Sequence, residues 1–193
     1  MLELFDYYAK HIVAVFPSLL QGSILTIEIT ALSVFFGTLI GLFVGMGKLS
    51  KNKIIKALCS AYVTVIRGTP LLVQVFIIYF GLPNLFYLLT GNRHPIEPLV
   101  AAVWACSINS GAYVAEIFRA GIQSIDRGQM EAARSLGMTH GQAMRYVILP
   151  QAFRRVVPPL GNEFIALMKD TSLLSAIGVE ELVRKGQLYA STT

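Results

Sequence analysis

The costliest features of this sequence are charges set in apolar surroundings. Glu163 lies with Asn162 inside Val156 to Val179, a run apolar enough to be read as a membrane segment, and Lys169 and Asp170 follow further along it. A charged side chain at the bilayer centre costs at least ~2.5 kcal/mol, so these groups must face protein or water. An acid held in that way can bind an ammonium or a guanidinium, or it can pair structurally with Arg155, Lys169 or a backbone donor. Asn109 and Ser110 sit among small neighbours in the middle of Leu99 to Phe118. They can hold a carboxylate or an amide, or act as hydrogen-bonding glue between helices. Adjacent Lys169 and Asp170 point about 100° apart on a helix, which makes a direct pair poor. They can line a gate or mark a solvated helix end. Glu28, early in its span, can face the pathway or pair structurally with a cation, and Glu116, Arg119 and Arg67 read as a salt-bridge cluster at span ends. His11, His94 and His140 stand alone, with no Cys or carboxylate at ligand spacing, so no metal site is expected. There is no His-Glu-x-x-His, Ser/His or paired-Asp constellation for an intramembrane enzyme.

The elements that carry these residues are membrane helices. Of 193 residues, 54% are hydrophobic and only 14% charged, against about a quarter charged in soluble domains. The length suits one domain, 1–193, and leaves no room for a motor. The net charge of +5 is not interleaved with aromatics, which points to membrane orientation and away from nucleic acid. Cys59 and Cys106 read as small buried hydrophobes. Met1 to Phe16 lacks a basic n-region and a cleavage site, and is expected to be an interfacial amphipathic stretch.

A helix needs about 20 apolar residues to cross the hydrocarbon core, and Gly22 to Gly47 supplies them with Glu28 as its one charge. Gly37, Gly41 and Gly45 recur every four residues and predict a face for close helix packing. Gly41 to Lys48 fails as a phosphate loop: the glycine falls one position early and Leu49 follows the lysine. Ile54 to Thr90 is interrupted by Arg67-Gly68-Thr69-Pro70 and contains Pro83, which predicts a bent or broken helix. Leu99 to Phe118 and Val156 to Val179 complete four spans. Lys48, Lys51, Lys53, Lys56 and Arg67 fall between the first two, and Arg119, Arg127, Arg134, Arg145, Arg154 and Arg155 between the last two. By the positive-inside rule both connections are cytoplasmic and the N-terminus lies outside.

The stretch at about 124–150 is too polar to cross and too helix-favouring for a plain loop. Ser124 or Asp126 can cap a helix through Met130 to Leu136, and Gly137 can end it in the left-handed conformation. Thr139-His140-Gly141-Gln142 then reads as a capping box that restarts a helix. That second helix is expected to end before Pro150.

Glu131-Ala132-Ala133, then Gly137, then Leu149-Pro150 with Val147 where Ile is usual, resembles the cytoplasmic-loop signature of the membrane subunits of ATP-binding-cassette importers. Arg67 to Gln74, Ser110 to Gly121, and Gly161-Asn162-Glu163-Phe164 through Lys169 to Leu173 are similar to the branch for polar amino acids. The resemblance covers nearly the whole chain. It implies an all-α polytopic bundle, the type I importer transmembrane fold with a five-helix core. The helix that family places after Val183-Arg184-Lys185 is expected to be missing, since the sequence stops at Thr193.

The resemblance further implies a permease in the cytoplasmic membrane of a prokaryote, importing polar amino acids, basic ones included, by alternating access. Its partners would be a cytoplasmic ATPase dimer, a second permease copy or a related chain, and an external amino-acid-binding protein. Cofactors are expected on the partner only, ATP and Mg on the ATPase, with none on this chain. Glu131, Ala132, Ala133, Leu136 and Gly137 would form a coupling helix docked in an ATPase groove. Close approach would come from Ala132 and Ala133, a helix-dipole contact from Glu131, and the turn from Gly137. Glu163, Asn109, Ser110 and Asp170 would be the substrate-binding candidates. The competing reading is a secondary amino-acid transporter or channel uncoupled from any ATPase. It calls for an internal repeat with matching broken helices, and the sequence shows no such symmetry.

Overall fold

In apolar surroundings a backbone must satisfy its own hydrogen bonds, and the described residues do so with helices. The computed structural model describes residues 2–192, with side chains from residue 8 onward. The described residues fold as α1 (Leu2–Lys48), α2 (Lys53–Gly68), α3 (Leu71–Phe76), α4 (Leu82–Thr90), α5 (Pro98–Gln123), α6 (Arg127–Ser135), α7 (His140–Ala143), α8 (Leu149–Asp170) and α9 (Leu182–Ala190). A 3-10 turn, Thr171–Ile177, follows α8 and is closed by Gly178 at φ 84°.

The interfacial stretch expected over Met1 to Phe16 is not a separate element: α1 runs unbroken from Leu2 through Pro17 to Lys48. Proline removes only one backbone donor, and apolar surroundings offer that backbone no alternative to the helix. The side chains of Glu3 and Asp6 lie outside the described residues. From Tyr8 to Lys48 the helix has 41 residues, about 60 Å at 1.5 Å per residue, twice the hydrocarbon thickness. Leu71–Thr90 and Pro98–Gln123 are also long and apolar enough to cross. The expected span Val156 to Val179 instead divides into α8 and the 3-10 turn after Asp170, and charges at Glu163, Lys169 and Asp170 lower its apolar character.

The predicted break lies at Thr69-Pro70, where Thr69 is extended. Pro83 breaks nothing. It is preceded by a π-helical turn, Ile77–Gly81, in which the Leu82 amide reaches back five residues to the Ile77 carbonyl. The same device precedes Pro150: a π turn at Met144–Ile148 carries the Leu149 amide to the Met144 carbonyl, and the helix continues. This corrects the expectation that the helix stops before Pro150. The wider turn relieves the clash between the proline ring and the preceding turn, so α7, the π turn and α8 form one helical run from His140 to Asp170.

The chain divides into two compact units, 1–33 with 71–106 and 167–193, and 34–70 with 107–166. In the first, Gly22 admits the backbone of Leu182, whose Cα would lie 2.9 Å from a Cβ placed there. The Leu182 amide donates to Thr26 Oγ1 (3.2 Å), and His11 Nδ1 meets the Tyr189 hydroxyl at 2.9 Å. Glu181, 1% exposed, caps α9 by accepting from the amides of Val183 (2.9 Å) and Arg184 (2.8 Å). Nearby Lys185 donates to exposed Glu180 (2.6 Å), a hydrogen bond that holds the Glu180 carboxyl below its ordinary range.

In the second unit the glycine stripe packs as predicted. A Cβ on Gly37 would stand 2.8 Å from Ser110 Cβ, one on Gly41 2.6 Å from Val114 Cβ, and one on Gly45 3.1 Å from the Ala115 carbonyl. Numbers rise together on the two helices, so α1 and α5 run parallel here, as the first and third spans of a serpentine chain must. Val63 of α2 joins Ala112 and Ala115 of α5 in a buried cluster, and Tyr62 donates its hydroxyl to the Ile108 carbonyl at 2.5 Å.

Gly41→Val should therefore destabilise the chain by about 1–3 kcal/mol, the usual cost of overpacking, whereas Gly68→Ala meets open space. Thermal unfolding in detergent checks this: Gly41→Val lowers Tm and Gly68→Ala does not.

Candidate functional site

The elbow between α5 and α8 is built by local rules. Asp126 caps α6 by accepting from the Gly128 amide at 2.7 Å, which settles the choice between Ser124 and Asp126. At the other end the Gly137 amide donates to the Arg134 carbonyl (3.1 Å) and the Met138 amide to the Ala133 carbonyl (3.2 Å). This pair of bonds needs a left-handed residue, and Gly137 has φ 83°. The capping box then forms in both directions: Gln142 N donates to Thr139 Oγ1 (3.3 Å), and Thr139 N to Gln142 Oε1 (2.8 Å).

Two apolar sides result. Inward, Ile125, Ile148 and Ala152 are buried, with Ile122, Met130, Met144 and Val147 packed on them. A cavity of about 460 Å³ lies beside this cluster, between Asp126, Arg127 and Met130 on one wall and Met144 and Ile148 on the other. Outward, Leu136 is 82% exposed at the tip, and Glu131 and Ala132 are exposed beside it.

Two expectations for this motif are corrected here. Ala133 is 4% exposed, so it packs α6 inward and offers no surface for a partner. Glu131 lies in the second turn, because α6 begins at Arg127, and the helix-dipole effect fades within the first turn. Its availability is that of an exposed carboxylate on the outer face.

The elbow is stitched to α8 in several places. Gln151 Nε2 donates to Gln129 Oε1 (3.2 Å), Arg155 Nη1 to the Ser124 carbonyl (2.5 Å), and Gly121 has no room for a side chain beside Val156. Behind it, Glu116 accepts from Arg119 Nε (2.8 Å) and pairs with Lys48 at the end of α1, while Arg67 stacks 4.9 Å from the Tyr113 ring centroid. Of the expected salt-bridge cluster, Glu116 and Arg119 pair, and Lys48 joins them; Arg67 stacks on Tyr113 and makes no ion pair with Glu116 among the described residues.

The substrate candidates are divided between the two units. Ser110 is fully buried against Gly37 in the seam between α1 and α5, which is a packing position. Its neighbour Asn109 is 7% exposed. Glu163 is half-buried on α8, in the same unit as the elbow, whereas Asp170 is exposed and belongs to the other unit. Glu28 is exposed, and no hydrogen bond or ion pair reaches its carboxylate among the described residues. That differs from the structural-pairing reading of it.

Long apolar helices together with a polar helical elbow define a multi-pass membrane subunit. The chain belongs to the family of binding-protein-dependent transport system inner membrane components, whose pattern matches residues 37–193. It is 48% identical over 171 residues to the L-cystine transport system permease protein TcyB of Bacillus subtilis (strain 168), covering 89% of this chain and 70% of that protein. To the glutamine transport system permease protein GlnP of Escherichia coli (strain K12) it is 46% identical over 171 residues, covering 89% and 76%. To the arginine transport system permease protein ArtQ of Bacillus subtilis it is 38% identical over 177 residues, covering 92% and 78%.

The fold matches a crystal structure of an amino acid ABC transporter with histidines at TM-score 0.86 and 49% identity, covering 93% of this chain and 81% of that one. It also matches the inward-facing MetNI methionine ABC transporter at TM-score 0.69 and 26% identity, covering 89% and 79%.

Gly137→Val forces a branched side chain into the left-handed region at a cost of about 1–2 kcal/mol. Hydrogen exchange should show faster amide exchange across 127–143 in this variant, with the seam between α1 and α5 unchanged.

Proposed function

We propose that this chain is the membrane subunit of an ATP-driven importer of polar amino acids, with ATP and Mg bound by a separate cytoplasmic ATPase. The observation that carries the reading is the unbroken run from His140 to Asp170. One arm of the elbow and the segment bearing Glu163 are a single helix, Glu163 lying about 35 Å from His140 at 1.5 Å per residue. A push on the exposed face of Glu131, Ala132 and Leu136, all on α6 or its end, crosses the Gly137–Thr139 turn and the Gln129–Gln151 contact, and the helical run then carries it to Glu163. That is what alternating access needs: a docking surface outside the membrane and a rigid link to the transport path.

A second copy or a related chain would complete the transport path and bring a second acid opposite Glu163. An external amino-acid-binding protein would deliver the substrate. The N-terminus lies outside in this scheme, and the parallel course of α1 and α5 supports it, since the connections after both carry the positive charge. The relatives named for cystine, glutamine and arginine support a polar amino acid as cargo. A half-buried acid on α8 supports acceptance of cationic ones. Glu163, Asn109 and Asp170 remain the proposed substrate contacts, and Ser110 is proposed to hold the seam beside Asn109.

Two experiments test this. Leu136→Asp and Glu131→Lys should each weaken co-purification of the ATPase by at least about tenfold, or ~1.4 kcal/mol, while the permease still folds; normal co-purification would remove the coupling role. Glu163→Gln should lower ATP-dependent uptake of arginine more than that of glutamine. An equal loss for both would make Glu163 structural.

A further inference from the structure

A second cavity lies where α4 ends. It measures about 440 Å³ and is lined by Tyr79, Asn84, Tyr87, Arg93 and His94, with Phe80 and Pro83 in its wall. The π turn ahead of Pro83 swings Tyr79 and Phe80 into it, their rings 4.6 Å apart, and π turns recur at functional sites. Gly91, left-handed at φ 74°, ends α4 and turns the chain so that Arg93 comes back over the Tyr87 ring, 5.2 Å from its centroid. His94 meets the Phe86 ring edge-on at 5.6 Å.

No carboxylate pairs with Arg93 among the described residues. The guanidinium is thus fixed by stacking, with its donors unspent on any acid. Immediately beside this cationic pocket α4 exposes an apolar wall, Leu85 at 53%, Leu88 at 79% and Leu89 at 76%. In a membrane subunit that wall meets acyl chains, and the helix end sits at headgroup depth, where tyrosines partition.

We propose that this cavity binds the phosphate of a glycerophospholipid, with Arg93 as its main cation and Asn84, Tyr79 and Tyr87 as hydrogen-bonding neighbours, while the acyl chains lie along α4. An arginine suits a phosphate because its planar fork donates two parallel hydrogen bonds. The combination of cation, hydroxyls and adjoining apolar wall selects a molecule with both a phosphate and a hydrocarbon tail. A soluble anion would use only half of the surface. Lipid held here would brace the π turn, and the site is separate from the coupling elbow and from Glu163.

The test is native mass spectrometry of the full-length permease, in its assembled transporter, titrated with phosphatidylglycerol. Arg93→Glu should weaken lipid retention at least about tenfold, Arg93→Lys should weaken it by a smaller factor of about three to five because the charge survives but the planar fork and its stacking do not, and Arg127→Ala should change nothing. Each of these variants lies on an exposed position and leaves the core intact. Equal retention by Arg93→Glu and the unaltered protein would overturn the proposal. So would displacement of the lipid by inorganic phosphate alone, which would make this a free-anion site. Loss of binding-protein docking in Arg93→Glu with lipid retention unchanged would assign the cavity to a protein interface and equally overturn it.

Discussion

Lipid tails are as apolar as leucine, so the hydrophobic effect does not press one membrane helix against another. What holds the second unit together is instead close backbone approach along α1 and α5. Gly37, Gly41 and Gly45 remove side chains on one face, and Ser110, Val114 and Ala115 fill the space they leave. The seam ends in charge: Lys48, the last residue of α1, pairs with Glu116, which Arg119 also holds. Two cations attend this carboxylate, which is only 17% exposed. Removing either glycine spacing or this ion cluster would loosen the helix from which the elbow departs.

From that anchored end of α5 the chain builds a stiff elbow out of small, local devices. An aspartate cap, a left-handed glycine and a reciprocal capping box each satisfy orphan backbone groups, so α6 and α7 meet at a fixed angle with few free donors. Proline then performs an unexpected service. At Pro83 and Pro150 the helix widens into a π turn and continues, so that a residue expected to end the helix instead sits in a continuous strut. In one case the strut links the elbow to Glu163. In the other it shapes the cavity around Arg93. The same local accommodation therefore serves two different sites.

Features governed by near neighbours in sequence were legible from the residues alone. The Gly37, Gly41, Gly45 stripe, the left-handed Gly137, the Thr139–Gln142 box and the break at Thr69-Pro70 all follow from steric or hydrogen-bonding rules spanning a few residues. Features that depend on long-range balance were not. Continuation through Pro17 and Pro150 turns on how the surroundings satisfy one missing amide, which sequence cannot price. The inward turn of Ala133 and the second-turn position of Glu131 depend on where α6 begins, and a shift of a few residues moves both. Lys48 gave no sign of its partner because Glu116 is 68 residues away. Glu181 carries no cap signal in the sequence, because glutamate is not among the residues that usually cap helices and the amides it accepts from belong to any backbone.

The central claim is that motion imposed on the elbow by an ATPase, and not an ion gradient, drives this chain. Proteoliposomes containing the permease with its ATPase and binding protein test it most directly, by comparing amino-acid uptake with internal ATP and no ion gradient against uptake with a proton or sodium gradient and no ATP. Uptake in the first case alone is the predicted result. Uptake sustained by the gradient without ATP would contradict the account and make the chain a secondary transporter.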